Sequence, residues 1–332
     1  MADIIPHTGS IAQAHAGPEH AGLRVDQVAA RLFPDYSRSL LGRWLALGAL
    51  TVDDQQVPAK RRLRGGERLR LDIASVPFEN WSEPQSVPFE CVYEDDDLLV
   101  VNKPAGVVVH PGAGNFDHTL VNGLLAHRAS LSHLPRAGIV HRLDKDTSGL
   151  LLVAASLRAL TALTRAISER TVARHYLALA NGQMFGPEGL RIDAAIGRDP
   201  QQPTRQRISA TGRPAVTHVR VLETFAAHTL VAARLETGRT HQIRVHMAHV
   251  GHPLVGDARY GGVPRERRLQ TLDLAPPLVA ALQSFERQAL HARELQLAHP
   301  VSGEPLTFEA APPADFAALL QLFRDQQGAQ DE

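Results

Sequence analysis

Cysteine is almost absent. Cys91 is the only one in 332 residues, which excludes an intrachain disulfide and a metal site built from cysteines. A lone thiol suits a reducing cytosol, so the expected location is cytoplasmic. Charge of one sign is not in excess either, since 35 Lys and Arg balance 35 Asp and Glu. Bulk charge therefore gives no sign of a polyanionic partner. No uninterrupted apolar stretch is long enough to span a bilayer, and no membrane association is expected. The opening "MADIIPHTGSIAQAHAGPEH" lacks a basic segment followed by an apolar core, so it is not read as a secretory signal. No segment repeats at a fixed period.

What is present is a chain that is 44% apolar, enough for a sizeable core in one large domain or two ordinary ones. Its neutrality hides two basic islands. Arg24 to Asp72 holds ten basic residues against six acids, and Leu131 to Ala180 holds seven against three. Such islands suit a polyanion held on chosen faces.

Two helical stripes open the ordered part, Val25, Val28, Ala29 and Leu32, then Leu40, Leu41, Trp44, Leu45 and Leu47, separated by Pro34, with Ser37 a candidate N-cap. "LTVDDQQVPAK" reads as a hairpin turning at Asp53 and Asp54. "GGERLRLDI" alternates as a strand, with Leu69, Leu71 and Ile73 inward and Arg68, Arg70 and Asp72 outward. The proline-rich "ASVPFENWSEPQSVPFE" reads as a linker. Beyond it, strand-like runs ("DLLVVNKPAGVVVHPG", "GLLLVAAS", "ARHYLALAN", "THVRVLETF", "HTLVAARLETG") alternate with few helices. Among the helices is "SLRALTALTRAISER", with Leu157, Leu160, Leu163 and Ile167 on one face and Ser156 as cap. This pattern predicts an α+β fold with a mixed sheet.

Three segments carry candidate chemistry. In "HRLDKDTSG" a charged cluster runs directly into a buried strand, which is costly unless the charges are paired or used. An aspartate beside such a turn commonly serves only as a cap. Asp146 with Thr147, Ser148 and Gly149 can fill that role, leaving Asp144 free. "RHYLAL" places Tyr176 in a strand, where a tyrosine most often packs with its hydroxyl at the wet edge. In "LETGRTHQIRVHMAHVGHPLVGD" Gly238 permits a turn and Thr240 can cap a helix. Arg239 and Arg244 then sit near the helix N-terminus, where cations are disfavoured and a nearby anion is required to hold them. His241, His246, His249 and His252 crowd the same segment without zinc-hydrolase spacing, and no metal site is assigned. "HPGAGNFDHTL" lacks the Lys-Ser/Thr of a phosphate cradle.

Taken together, "HRLDKDTSGLLLVA", "NKPAGVVVHPGAGN" upstream and "LETGRTHQIRVHMAHVGHPLVGDARYGG" downstream resemble the RluA-type pseudouridine synthases. "PDYSRSLLGRWLALGALTVDD" resembles the S4 RNA-binding module that many members carry. The likeness runs from about Leu23 to about Phe316. It implies an S4-like helix-helix-strand module followed by a catalytic domain with a mixed, largely antiparallel central sheet. The implied boundaries are a mobile arm over 1–20, the S4-like domain over 21–75, a linker over 76–88, the catalytic domain over 89–325 and a polar tail over 326–332. Residue by residue, Asp144 matches the family's catalytic aspartate and Tyr176 the tyrosine beside the target base. Arg244 matches the basic partner of the aspartate, with Arg239 the second choice, and Arg142, next to His141, the residue that helps displace the base. Arg38 and Arg43 of the module, and Arg205, Arg207 and Arg213 of "PQQPTRQRISATGRPAVTH", are the expected phosphate contacts.

The implied reaction breaks the N1–C1′ bond of a uridine, turns the uracil and joins C5 to C1′. Charge develops on the ribose as in glycoside hydrolysis. A carboxylate can capture C1′ or remove a ribose proton, and both routes stay open. Either needs an ionised, water-shielded Asp144 beside a guanidinium. Whether Tyr176 is the base at C5 is also open. The isomerisation is redox-neutral and implies no cofactor. The implied substrate is uridine in a large-subunit ribosomal RNA stem-loop at the subunit interface, free or in an assembling subunit, and no protein partner is implied. The rival readings are a non-catalytic RNA-binding assembly factor, and a nucleosidase or glycosidase, which would need a second, opposed carboxylate.

Overall fold

The computed structural model describes all residues except 1–10, 35, 37, 73–82, 113–114, 116, 185–188, 203, 264–268, 270 and 332, and also omits the side chains of 39, 40, 43, 330 and 331. The chain divides into two compact units, Met1–Asn80 and Trp81–Glu332.

In the first unit, strands β1 (Ile11–His15), β2 (Leu50–Val52) and β3 (Arg68–Asp72) form an antiparallel sheet in the order β1-β3-β2. Helices α1 (Val25–Leu32) and α2 (Arg38–Leu47) supply Val25, Val28, Ala29, Leu41, Trp44 and Leu45 to a core closed by Leu69 and Leu71. Asp53 and Asp54 turn the chain between β2 and Gln55 with positive φ, the conformation a tight hairpin demands. Two expectations change. Residues 11–20 are not an arm, because Ile11–His15 pairs in register with Arg68–Asp72 and a 3₁₀ turn follows over Pro18–His20. Leu47, at the end of the second stripe, is exposed. The cap expected at Ser37, the inward Ile73 and most of the 76–88 linker lie outside the described residues.

The second unit is built on a nine-stranded sheet. Its strands are β4 (Glu90–Glu94), β5 (Leu98–Lys103), β6 (Ser148–Ala154), β7 (Ala173–Asn181), β8 (Leu190–Asp193), β11 (Val216–Thr224), β12 (His228–Leu235), β13 (Leu290–Ala298) and β14 (Pro305–Glu309). The order is β4-β5-β6-β13-β7-β12-β11-β8, with β14 on β13. Only β6 and β13 run parallel, so the sheet is mixed and largely antiparallel. Strands β9 (Ile196–Arg198) and β10 (Gln206–Ile208) form a separate antiparallel pair.

Side chains alternate across this sheet. Leu99, Val101, Leu151, Val153, Tyr176 and Ala178 join one core with helices α3 (Leu120–His127) and α5 (Gln242–His249). Leu98, Val100, Leu150 and Leu152 face the other way onto helix α4 (Leu157–Ser168). On that side Leu177 and Leu179 meet helices α6 (Pro276–Ser284) and α7 (Ala314–Asp331). Each fully buried leucine or valine contributes about 1.5–3 kcal/mol, and this double coverage is why β5 and β6 read as continuous apolar runs. The expected polar tail is the last turn of α7 as far as Asp331. Leu157, expected on the inner face of α4, is exposed at the first helical position, and Ala159 and Leu163 are the buried anchors. Among the described residues no helix is long and apolar enough to cross a membrane.

Gly149 marks the entry to β6. Its φ is +111°, and a Cβ there would lie 2.2 Å from the carbonyl oxygen of Ala292, so only glycine allows the parallel pairing with β13. Asp97 fastens the other end of the same layer. Its carboxylate accepts from both Arg158 nitrogens at 2.8 and 2.7 Å and from Ser156 Oγ at 2.5 Å, while Ser156 Oγ accepts from Ala159 N–H as the helix cap. The Arg158 hydrogen bond and then that of Ser156 hold Asp97 below the usual carboxylate range. A lowered carboxylate stabilises the fold fully above about pH 4 and loses that contribution as pH falls through its folded value. Thermal unfolding at pH 6 and pH 3 should therefore show a larger loss for wild type than for Asp97→Asn, with the variant about 1–2 kcal/mol less stable at pH 6.

Candidate active site

A cleft of about 1210 Å³ opens over the edge where β6 and β7 begin, lined by the segments around His110, Asp144, Arg174, His241, Asp257 and Arg287. The segment ahead of β6 enters it as a fastened loop. Thr147 N–H donates to the Asp144 carbonyl at 3.1 Å, so the turn runs from Asp144 to Thr147, and Ser148 and Gly149, expected within it, already belong to β6. Lys103, 0% exposed at the end of β5, donates to the carbonyls of Pro104, Val107 and Lys145 at 2.7–2.9 Å. Gln288 donates to Thr147 Oγ1, and Ser148 Oγ pairs with His291. The charge cluster thus meets the apolar strand through a set of buried hydrogen bonds, and the Asp144 side chain is left 14% exposed at the cleft floor.

Arg244 lies in the first turn of α5, 7% exposed. Its Nη1 donates to Asp144 Oδ2 at 3.0 Å, while Nε and Nη2 donate to the two oxygens of Asp257 at 2.7 and 2.9 Å. Burial works against the charge, but the bonds and charge of Asp257, then those of Asp144, outweigh it and raise the guanidinium above its ordinary value. Asp257, 1% exposed, is the anion that the position of Arg244 demanded. Arg239 turns elsewhere, donating from Nε to the Pro214 carbonyl. Thr240 is not the helix cap. His241 holds that position with φ +56°, and Gln242 secures the helix start by accepting from Arg239 N–H and Thr237 Oγ1 and donating to the Val216 carbonyl.

His241 Nε2 stands 3.8 Å from Asp144 Oδ1, and its Nδ1 pairs with the Tyr260 hydroxyl at 2.8 Å. Burial, partly offset by Asp144 and reinforced by Arg244, Arg259 and Arg142, lowers this imidazole and keeps it neutral. Tyr260 also accepts from Gln206 N–H and carries the guanidinium of Arg244 over its ring at 5.1 Å. Tyr176 sits on β7 between Ala233 of β12 and Ala292 of β13. Burial raises its hydroxyl, Arg174 opposes this, and Asp144 adds to it.

The remaining expected contacts are dispersed. Arg142 is exposed at the cleft and has no partner among the described residues. His141 Nε2 accepts the Leu152 N–H at 2.9 Å, so half of this side chain serves β6. Arg205 lies over the Tyr260 ring at 5.3 Å and Arg207 is exposed on β10, both outside the cleft lining, whereas Arg213 is within it. In the first unit Arg38 pairs with Asp26 at 2.8 Å, beside Arg24, and the side chain of Arg43 lies outside the described residues. The crowded histidines do not converge: His246 is buried between Thr217 and the Ala194 carbonyl, and His252 bonds the Asn181 carbonyl. Among the described residues one trio of ligand-type atoms, from Cys91, Glu94 and His127, lies within 4.8 Å, with Glu94 already paired to His127 and Arg128. Asp257, Lys103 and Tyr260 escaped the sequence reading, although Lys103 has a signal: a lysine closing a strand that opens with four apolar residues, just before Pro104.

The family model described as RNA pseudouridylate synthase matches residues 97–249, from β5 to the end of α5. A ribosomal large subunit pseudouridine synthase D from Xanthomonas campestris pv. campestris is 47% identical over 320 residues, covering 96% of this chain and 95% of that one. The chain belongs to the RNA pseudouridylate synthase family. As a pseudouridine synthase it isomerises uridine to pseudouridine in RNA. The enzyme of the same name from Neisseria meningitidis serogroup A is 48% identical over 93% of this chain and 81% of its own. Among solved structures, human RNA pseudouridylate synthase domain containing 1 is similar with a TM-score of 0.52 and 31% identity, covering 70% of this chain and 86% of that one.

In this pseudouridine synthase, Asp257→Asn removes one charge from a buried ion-paired group and leaves Arg244 held by Asp144 alone. The expected cost is about 3 kcal/mol of stability, with at least a tenfold fall in single-turnover rate. Calorimetry and a rapid-quench assay on the same preparation check both.

Proposed function

We propose that this enzyme isomerises uridines of large-subunit ribosomal RNA in the cytoplasm, with Asp144 acting on the ribose of a flipped-out nucleotide. The observation that carries the reading is the asymmetric setting of Asp144. Oδ2 is occupied by Arg244, whereas Oδ1 of this cleft-lining residue accepts no hydrogen bond among the described residues and has a neutral His241 3.8 Å away. Oδ1 is then the atom that captures C1′ or takes the ribose proton. The guanidinium supplies the countercharge in a floor largely closed to water, where hydrolysis of the separated base would compete with recoupling. Names of relatives nearly coextensive with this chain support the substrate.

Tyr176 forms a wall of the base compartment. Its raised hydroxyl keeps its proton near neutral pH, which favours packing against uracil over proton abstraction from C5. Arg142, exposed and unpaired among the described residues, is placed to fill the gap left by the base, whose extrusion costs roughly a few kcal/mol. The arginine-rich first unit is the S4-like module in this reading. Its contacts, with those of Arg205, Arg207 and Arg213, go to phosphates.

Tritium release from RNA carrying 5-³H-uridine tests the proposal. Wild type should act on large-subunit rRNA, free or in precursor particles, and not on small-subunit rRNA. Asp144→Asn should lose about 10³-fold or more in rate while RNA affinity stays within about threefold, because phosphate contacts dominate binding. Equal release from both rRNAs overturns the substrate, and substantial turnover by the variant overturns the role of Asp144. With about five phosphate contacts, log K against log salt should fall with a slope near −3.5, measured by filter binding, and a flat response removes the polyanion reading.

A further inference from the structure

Arg174 is 4% exposed on β7, yet among the described residues its guanidinium makes no ion pair and no hydrogen bond, and its Nε is fully enclosed without a partner. A buried cation left in this state is expensive, and native structures rarely keep one without a use. It lies two residues before Tyr176, so both side chains project from the same face of the strand into the cleft. Room for the guanidinium comes from Gly238, where a Cβ would stand 2.8 Å from Nη1. No positive φ is involved at Gly238, so the glycine there provides space and not backbone freedom.

A second orphan donor stands in the same wall. His141 accepts the Leu152 N–H through Nε2, which places its ring proton on Nδ1, and Nδ1 is enclosed without a partner. Burial and then the nearby charge of Arg174 push this imidazole down to about 3, so it is a neutral, fixed donor. Arg174, His141, Tyr176 and Asp144 all line one cleft.

We propose that Arg174, assisted by the Nδ1–H of His141, is a further catalytic residue that binds the uracil oxygens and stabilises uracil as the leaving group. The inference rests on the reading of Asp144 and Tyr176 given above. When N1–C1′ breaks, its electron pair departs with uracil, and the negative charge spreads over N1, O2 and O4. C1′ bonds to Asp144 Oδ1, or a ribose proton passes to that oxygen. C5 then bonds C1′ as Asp144 is released or returns the proton. The C5 proton leaves to solvent and N1 takes one up, so the sum is an isomerisation without a co-reactant. Arg244 has its charge engaged by two carboxylates. Arg174 is a buried cation with neither a carboxylate nor a hydrogen-bond acceptor among the described residues, and it is therefore able to meet charge that exists only while the base is detached. Two donors in this wall also suit the carbonyl-bearing edge of uracil and oppose the amino group of cytosine.

The test compares wild type, Arg174→Met and Arg174→Lys in single-turnover reactions, read as loss of the target's N1–C1′ bond, on one stem-loop RNA carrying either uridine or 5-fluorouridine, which has no C5 proton to lose. Fluorine makes the departing base less basic, so it needs less help from a cation. Arg174→Met should lose about 10²–10³-fold with uridine and an at least about threefold smaller factor with 5-fluorouridine. Arg174→Lys should lie between wild type and the methionine variant. RNA affinity should stay within about threefold, and the melting temperature should not fall, since the lost charge is unpaired in the free enzyme. Equal losses on the two bases, a loss confined to affinity, or a rate that tracks a lowered melting temperature overturns the proposal. Failure of wild type to convert uridine in any RNA instead overturns the reading beneath it.

Discussion

One buried guanidinium is shared by two carboxylates, and the site is organised around it. Arg244 gives a forked pair of bonds to Asp257 and one bond to Asp144. The division of labour follows from geometry. The fork fixes the plane of the guanidinium, because two parallel bonds leave it no rotation, and the third nitrogen then presents one directed donor. Asp144 is held by one oxygen, and the proposed mechanism uses the other for chemistry. A lysine at this position would supply charge without that plane.

The scaffold serves this arrangement by removing freedom from each contributor. Asp144 stands on a turn whose next carbonyl is capped by the ammonium of Lys103. Arg244 stands on a helix whose first residue is bonded to β11 through Gln242. Tyr176 rises from the middle of a sheet between two alanines, a notch that leaves an aromatic ring its space. Asp144 and Arg244, 100 residues apart in sequence, are brought to 3.0 Å by supports that are each fastened through their own hydrogen bonds.

Legibility in the sequence followed the range of the interactions. The buried strands, the α1 and α2 stripes and the Ser156 cap are set by neighbours within a few residues, and they were readable, whereas the turn before β6 was placed two residues too late. The pairing of Asp144 with Arg244 was inferred from family likeness and from a cation at the wrong end of a helix, a local conflict that demanded an anion. Which anion was not readable. Asp257 is one aspartate in a loop 13 residues on, and only the turn that follows Val255 brings it back under α5. Strand β1 was missed because "IAQAH" carries a weak alternation whose meaning depends on pairing with β3. Arg174 was counted as part of a basic island, since isolation from carboxylates is a property of three dimensions.

The Tyr260 hydroxyl joins two things usually treated apart. It accepts from the backbone of Gln206, at the start of a hairpin strand whose next residue is the exposed Arg207, and it bonds the imidazole that faces Asp144. In the proposed reading, one oxygen atom thereby links the hairpin that grips the nucleic acid to the histidine beside the reacting carboxylate. On that reading, a change made out on the hairpin is expected to alter rate as well as tightness of binding.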